Sequence, residues 1–172
     1  MKRNKNIYLR AFELDDYKLL NKWRNNEEMH RLTCGNKYFI SSVYDKKWVE
    51  NKIFNKENDV YLAICLNEND QLIGYTSINE IDHRNFRAKW GGIMIEPDHN
   101  GKGVATEVGE IVIDYVFNEL GFKSLHTNIL EEHGASLRLV EKLGFKKEGL
   151  LRSSVFKMGK FHNEVILSLI NE

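Results

Sequence analysis

Proline is almost missing from this chain, with one residue, Pro97, in 172. Proline-rich linkers are therefore excluded, and neither repeats nor low-complexity tracts are visible. Cysteine is nearly as scarce. Cys34 and Cys65 lack any metal or redox spacing, so they read as buried free thiols in a reducing compartment, with the cytoplasm as the expected location. Net charge is lacking too, because 25 basic residues cancel 25 acidic ones. General binding to DNA or RNA rests on phosphate neutralisation and is not expected, although a local basic pocket is still allowed. No apolar run approaches a membrane span, so no membrane partner is expected. The basic start Lys2-Arg3-Asn4-Lys5 leads straight into a strand rather than into a signal peptide. Six histidines (His30, His83, His99, His126, His133 and His162) include no HxxxH pair, so no metal is expected.

Apolar residues at 42% and charged residues at 29% suit a soluble chain, and residues 1–172 are long enough to bury the core of a single domain. Alternation from Ile7 to Phe12 reads as a strand. Asp15 or Asp16 can cap a helix with Tyr17, Leu20 and Trp23 on one face. Residues Asn25 to Ile40 read as irregular, with a turn at Gly35-Asn36. Ser42 can cap a second helix through Phe54 that turns Trp48 and Ile53 inward. The period then changes to two, giving strands over Val60–Leu66, Leu72–Asp82 and Ala88–Ile95 in an antiparallel meander. A helix follows to about Leu120, carrying Val104, Val108, Ile111, Val112 and Tyr115 on one face and ended by Gly121. A strand over Lys123–Leu130, a helix over Ala135–Leu143 and a hairpin of Phe145–Lys157 with Phe161–Ile170 complete the chain. The expected fold is α/β, a mixed and mostly antiparallel sheet flanked by helices.

The lone proline sits in "EPDHNGKGVATEVGE", residues 96–110. Pro97 ends a strand, since it cannot donate to a sheet ladder. Gly101 and Gly103 let an anion approach the backbone, and a helix N-terminus favours negative charge. Lys102 can add charge. A phosphate loop of the GxxxxGK[ST] type fails because Gly103 follows Lys102. A dinucleotide fingerprint fits poorly, with Thr106 in its third glycine place and an antiparallel meander before it. A glycine turn that merely starts a helix is the plain alternative.

Asn100-Gly101-Lys102-Gly103-Val104-Ala105 resembles motif A of the GNAT N-acetyltransferases, (Gln/Arg)-x-x-Gly-x-(Gly/Ala), with Asn100 departing from the usual first residue. "HGASLRLVEKLGFKKEGLLR" resembles motif B. "IYLRAFELDDYKLLNKWRNNEEM" and "LIGYTSINEIDHRNFRAKWGGIMIEP" resemble the family's opening and central hairpin, so the likeness covers almost the whole chain. The branch resembled is that of the ribosomal-protein N-terminal and spermidine acetyltransferases.

The resemblance implies direct transfer of an acetyl group from acetyl-CoA to a primary amine. The acceptor would be a polyamine, an amino sugar, an aminoglycoside or a protein N-terminus, and the enzyme a monomer or homodimer. A non-catalytic CoA-binding module is the alternative. The backbone of Ile93, Met94 and Ile95 would hold pantetheine, and residues Gly101 to Thr106 the pyrophosphate. His133, in place of the motif-B Asn, can bond to pantetheine or simply lie on its loop. The tyrosine acid of many members is replaced by Val140, so Ser136 becomes the candidate acid, unless it only caps its helix. Glu80 leads as general base, because alternation from Leu72 gives it the parity of Gly74, Thr76 and Ile78; Asp82 is the runner-up. Glu28 and His30 would border the acceptor. Gly159, Phe161 and Asn163 match a Gly-x-aromatic-x-Asp pattern of the branch, but Asn163 cannot act as a base.

Overall fold

The computed structural model describes residues 2–31, 33–34, 39–55 and 58–172. The alternating stretches assemble into one eight-stranded sheet: β1 (Lys2–Arg3), β2 (Ile7–Ala11), β3 (Val60–Leu66), β4 (Leu72–Asp82), β5 (Arg87–Ile95), β6 (Ser124–Leu130), β7 (Lys146–Lys157) and β8 (Lys160–Ile170). Their order is β1-β2-β3-β4-β5-β6-β8-β7. The β5–β6 pair is parallel and the other neighbours are antiparallel. A parallel pair needs a crossover, and the helix between β5 and β6 supplies it.

The helices are α1 (Tyr17–Arg24), α2 (Glu27–Arg31), α3 (Ser42–Phe54), α4 (Val104–Asp114) and α5 (Gly134–Lys142). On one face of the sheet, Val104, Val108, Ile111 and Val112 of α4 pack on Leu9, Ile64, Ile73, Ile78 and Trp90. Leu20 and Trp23 of α1 and Val49 of α3 cover the other face, against Tyr8, Ala63, Cys65 and Leu72. Each such side chain, once fully buried, contributes about 1.5–3 kcal/mol. Between α1 and α3 lies a buried charge. Asp45 is fully buried and accepts from Arg24 Nη1 at 2.6 Å and from Asn21 Nδ2 at 2.8 Å. The Arg24 guanidinium also stacks 4.0 Å over the Trp48 ring.

Several local expectations are corrected. Residues 27–31 form the short helix α2 inside the stretch read as irregular. Asp16 does not cap α1 through its side chain. Its carboxylate grips Arg10 with two bonds, at 2.7 and 2.9 Å, and a 3-10 turn (Leu14–Asp16) precedes the helix. Ser41, not Ser42, caps α3, its Oγ accepting from Val43 N at 3.2 Å. α4 ends at Asp114 and continues as a π turn over Tyr115–Glu119 before Gly121. The turn expected at Gly35-Asn36 and the side chain of His30 lie outside the described residues.

Candidate active site

β5 and β6 pair only through Arg87↔Ser124, Ala88↔Leu125 and Lys89↔His126. The Thr127 hydroxyl closes the seam by donating to the Trp90 carbonyl at 3.0 Å. Beyond that point the strands part and leave a V-shaped opening in the sheet. A bulge shapes its β5 wall. Trp90 pairs with Ile78 and Ile93 with Thr76, so Gly91 and Gly92 together oppose Ser77. Gly92 has a φ of 92°, a region other residues rarely adopt. Its carbonyl is held by the Thr76 hydroxyl at 2.8 Å, and Thr76 in turn accepts from Trp90 Nε1 at 2.9 Å. Past the bulge, Ile93, Met94 and Ile95 pair with Thr76, Tyr75 and Gly74 of β4 along one edge. Ile93 and Ile95 turn their side chains to the α4 core and Met94 to the α1–α3 core, so only the free backbone edge faces the opening.

At the wide end of the V the chain enters a short 3-10 turn, Pro97–His99, and then the glycine loop. Gly101 and Gly103 have φ of 74° and 82°, and Gly103 is the N-cap of α4. The Gly103 carbonyl accepts from Thr106 N at 3.0 Å and Glu107 N at 3.2 Å. Among the described residues, no backbone carbonyl receives the amides of residues 101–105. A row of free N–H groups at a helix N-terminus is an anion site. Asn100 and Lys102 are exposed beside it, whereas Val104 is buried and can offer only its amide. Space is open around both glycines, so backbone conformation and not crowding demands them. Gly103→Val forces a branched residue into that region at a cost of about 1–2 kcal/mol or a flipped peptide. Calorimetry is expected to show CoA binding at least about tenfold weaker, equivalent to about 1.4 kcal/mol. The circular dichroism should be unchanged, and unaltered affinity would reject the loop as the pyrophosphate site.

On the other side of the opening, β6 leads through Glu131 and Glu132 into α5. His133 is the N-cap of α5 by position, and Ser136 is the third residue inside it, so Ser136 does not cap the helix. The Ser136 Oγ instead lies 3.2 Å from His133 Nε2.

Glu80 reaches its position by a route that simple alternation does not describe. A bulge at Ile73 sets Leu72 on the α1–α3 face, while Ile73 and Ile78 face α4. A second irregularity separates the Asn79↔Lys89 and Asp82↔Arg87 pairs, and Glu80 has a φ of 50°. The parity argument therefore fails, for a physical reason: a carboxylate beside Ile78 would be buried in the apolar α4 core without a partner. The kink turns Glu80 out to the opposite face, where its carboxylate meets Lys89 Nζ at 3.1 Å and His126 Nε2 at 3.7 Å. Partial burial raises its pKa, but Lys89 and His126 outweigh that and hold it below the usual carboxylate range. Asp82 does not join this group. Its carboxylate ties the β4–β5 turn, accepting from the amides of Arg84 and Asn85, from Asn85 Nδ2 at 2.7 Å and from Arg87 Nε at 3.3 Å.

Residues 6–146 match the family model described as Acetyltransferase (GNAT) domain. The chain belongs to the GNAT acetyltransferases. It is an N-acetyltransferase, and the GNAT fold is the α/β arrangement described above. YjcK of Bacillus subtilis, named a probable N-acetyltransferase, is 28% identical over 99% of this chain and 97% of its own. The spermidine N(1)-acetyltransferase of Escherichia coli is 28% identical over 92% of this chain and 83% of its own. The crystal structure of the Vibrio cholerae spermidine N-acetyltransferase with CoA and spermine shares the fold, with a TM-score of 0.89, 23% identity and coverage of 97% and 96%.

Other positions singled out by GNAT motifs have structural surroundings. Val140 is buried in the α4 core. Asn163 accepts from Ser153 N at 2.9 Å and donates to Glu131 Oε2 at 2.8 Å, which ties β8 to the end of β6 and to the irregular middle of β7. Gly159 lies in the β7–β8 turn, and Phe161 stacks edge-on with Phe156 at its exposed tip. Glu28 is exposed on α2. Among the described residues, no cluster of three His, Cys, Asp or Glu is placed to hold a metal ion.

Two residues at the root of this GNAT's V escaped sequence reasoning. His126 was visible as an odd member of a strand whose neighbours Leu125 and Ile129 face the core. Asn79 carries a buried Oδ1 with no hydrogen-bond partner, and its amide group borders Gly91. Nothing in its sequence context announces that.

Proposed function

We propose that this GNAT enzyme transfers the acetyl group of acetyl-CoA to a primary amine of a polyamine such as spermidine or spermine. The carrying observation is the parting of β5 from β6 beside a glycine bulge, with free loop amides at the wide end. In this reading the edge of residues 93–95 bonds pantetheine as an added strand would. Residues 101–106 take the pyrophosphate, with Asn100 and Lys102 beside it. The bulge at Gly91–Gly92 leaves ladder groups unpaired where the thioester carbonyl would lie, so an amide there can hold the developing oxyanion. His133 supports Ser136, which gives a proton to the departing thiolate.

The polyamine as acceptor rests on the named activities of the relatives and on the charge pattern. Glu80 is anionic at neutral pH and largely exposed, which suits a chain of ammonium groups. A cytoplasmic location belongs to this reading. No helix among the described residues is long and apolar enough to cross a membrane.

The test is a panel of spermidine, spermine, glucosamine, an aminoglycoside and a peptide with a free N-terminus, read by thiol release from acetyl-CoA. The expected outcome is that kcat/KM for the polyamines exceeds that of the others by at least about tenfold, equivalent to about 1.4 kcal/mol of transition-state binding. Turnover confined to another amine class would replace the acceptor.

A further inference from the structure

We propose that His126 is the group that takes the proton from the acceptor ammonium, with Glu80 as the anion beside its ring. This inference rests on the acetyltransferase reading above and names the missing base within it.

Position carries the argument. His126 pairs with Lys89 in the last register before β5 and β6 separate, so its side chain stands at the closed tip of the V. Leu125 and Ile129 face the α4 core, and His126 faces the other side of the sheet. On that side the next β5 residue of the same orientation is Gly91. A Cβ there would lie 2.3 Å from Ser77 Oγ and 2.4 Å from Asn79 Nδ2. Any side chain there would have to displace both of those groups, and glycine leaves an exposed step without a side chain between His126 and the bulge. An amine can reach the thioester across that step.

Chemistry favours His126 over Glu80. A carboxylate bonded to a lysine stays ionised and is a weak proton acceptor. The imidazole is half-buried, and that burial is the largest influence on it; it lowers the pKa against the opposing pull of Glu80. His126 is therefore neutral at pH 7 and able to accept a proton. The charged groups around it are Glu80 from β4 and Lys89 and Arg87 from β5. From β8 it pairs with Ser168, whose hydroxyl donates to Glu148 of β7 at 2.5 Å.

The step balances as follows. The acceptor ammonium gives one proton to the imidazole. Its freed nitrogen lone pair forms the N–C bond to the thioester carbonyl, and the C–S bond then breaks. The thiolate is protonated by Ser136, the nitrogen loses its second proton to restore the serine through water, and imidazolium releases its own proton to solvent.

The experiment is a pH profile of kcat/KM for wild type, His126→Gln, Glu80→Gln and Lys89→Met on the best amine of the panel, with CoA affinity measured in parallel. His126→Gln is expected to lose about a hundredfold in kcat/KM at pH 7 with CoA binding unchanged. Its rate should climb with pH in step with free amine, without the wild-type acid limb. Glu80→Gln removes the anion that favours imidazolium, so its acid limb moves to lower pH. Lys89→Met removes a cation that opposes imidazolium, so its limb moves to higher pH. A purely structural ion cluster would lower stability without these opposite shifts. A wild-type-like limb in His126→Gln overturns the proposal while leaving the acetyltransferase reading intact. Wild-type CoA binding without turnover on any amine overturns both.

Discussion

Asp45→Ala is expected to destabilise the fold by about 3–5 kcal/mol, because it leaves the Arg24 guanidinium largely buried without its anion. Arg24 has 16% of its side-chain surface exposed and Asp45 has none, so water cannot replace the lost partner fully. Asn21 loses an acceptor in the same substitution. The gain from a smaller residue is slight, since the cavity between α1 and α3 also costs packing. Urea denaturation read by tryptophan fluorescence measures the effect. Asp45→Asn keeps the shape and an acceptor oxygen and should lose clearly less. Asn21 and Asn25 of this region both donate to the Ile40 carbonyl, at 2.9 and 3.0 Å, and pin the far end of the segment that follows α2. A result below about 1 kcal/mol, the size of an exposed ion pair, would mean that the pair is effectively solvated.

Ser136→Ala is expected to lower kcat by about 10- to 100-fold, within the range of a lost general acid or slightly below it. CoA affinity should change little, because protonation of the leaving thiolate acts in the transition state and not in the bound ground state. The serine lies inside α5 with its hydroxyl toward His133, so removing it takes no cap from the helix. Stability should therefore hold, and thermal unfolding alongside kinetics separates the two roles. A normal kcat would remove Ser136 from the mechanism and leave water as the proton source. Replacing the thiol leaving group is a second check: a donor whose leaving group needs no proton should be used equally well by both enzymes.

Much of this was legible in the sequence because local physics was enough for it. Alternation placed the long strands to within a residue or so, since most of them bury one face. Pro97 and the two glycines marked the strand–loop–helix junction, where the backbone itself makes the anion site. The failures share a cause. Residues 27–31 form a helix of little more than one turn, too short for periodicity to register. Ser42 was assigned a cap that its neighbour Ser41 occupies, because a cap is decided by which backbone amide is within reach. Glu80 was placed by counting in twos past Ile78, across an irregularity at residues 79–82 that turns its side chain to the face opposite Ile78.

By itself, then, the sequence determined the order of elements, the sheet-and-helix class, the glycine loop and the family motifs, all of which depend on residues close together in the chain. Only the tertiary structure decided where β5 and β6 part, and that Glu80, Lys89 and His126 meet at the tip of the opening. Those outcomes depend on register between β5 and β6, whose partners lie about 40 residues apart, and on one bulge at Gly92 whose form is fixed by Trp90 and, across the sheet, by Thr76. No local pattern encodes a register set by side chains that distant, because it is chosen by which packing of the whole core buries Trp90 and Ile78 while leaving the carboxylate outside.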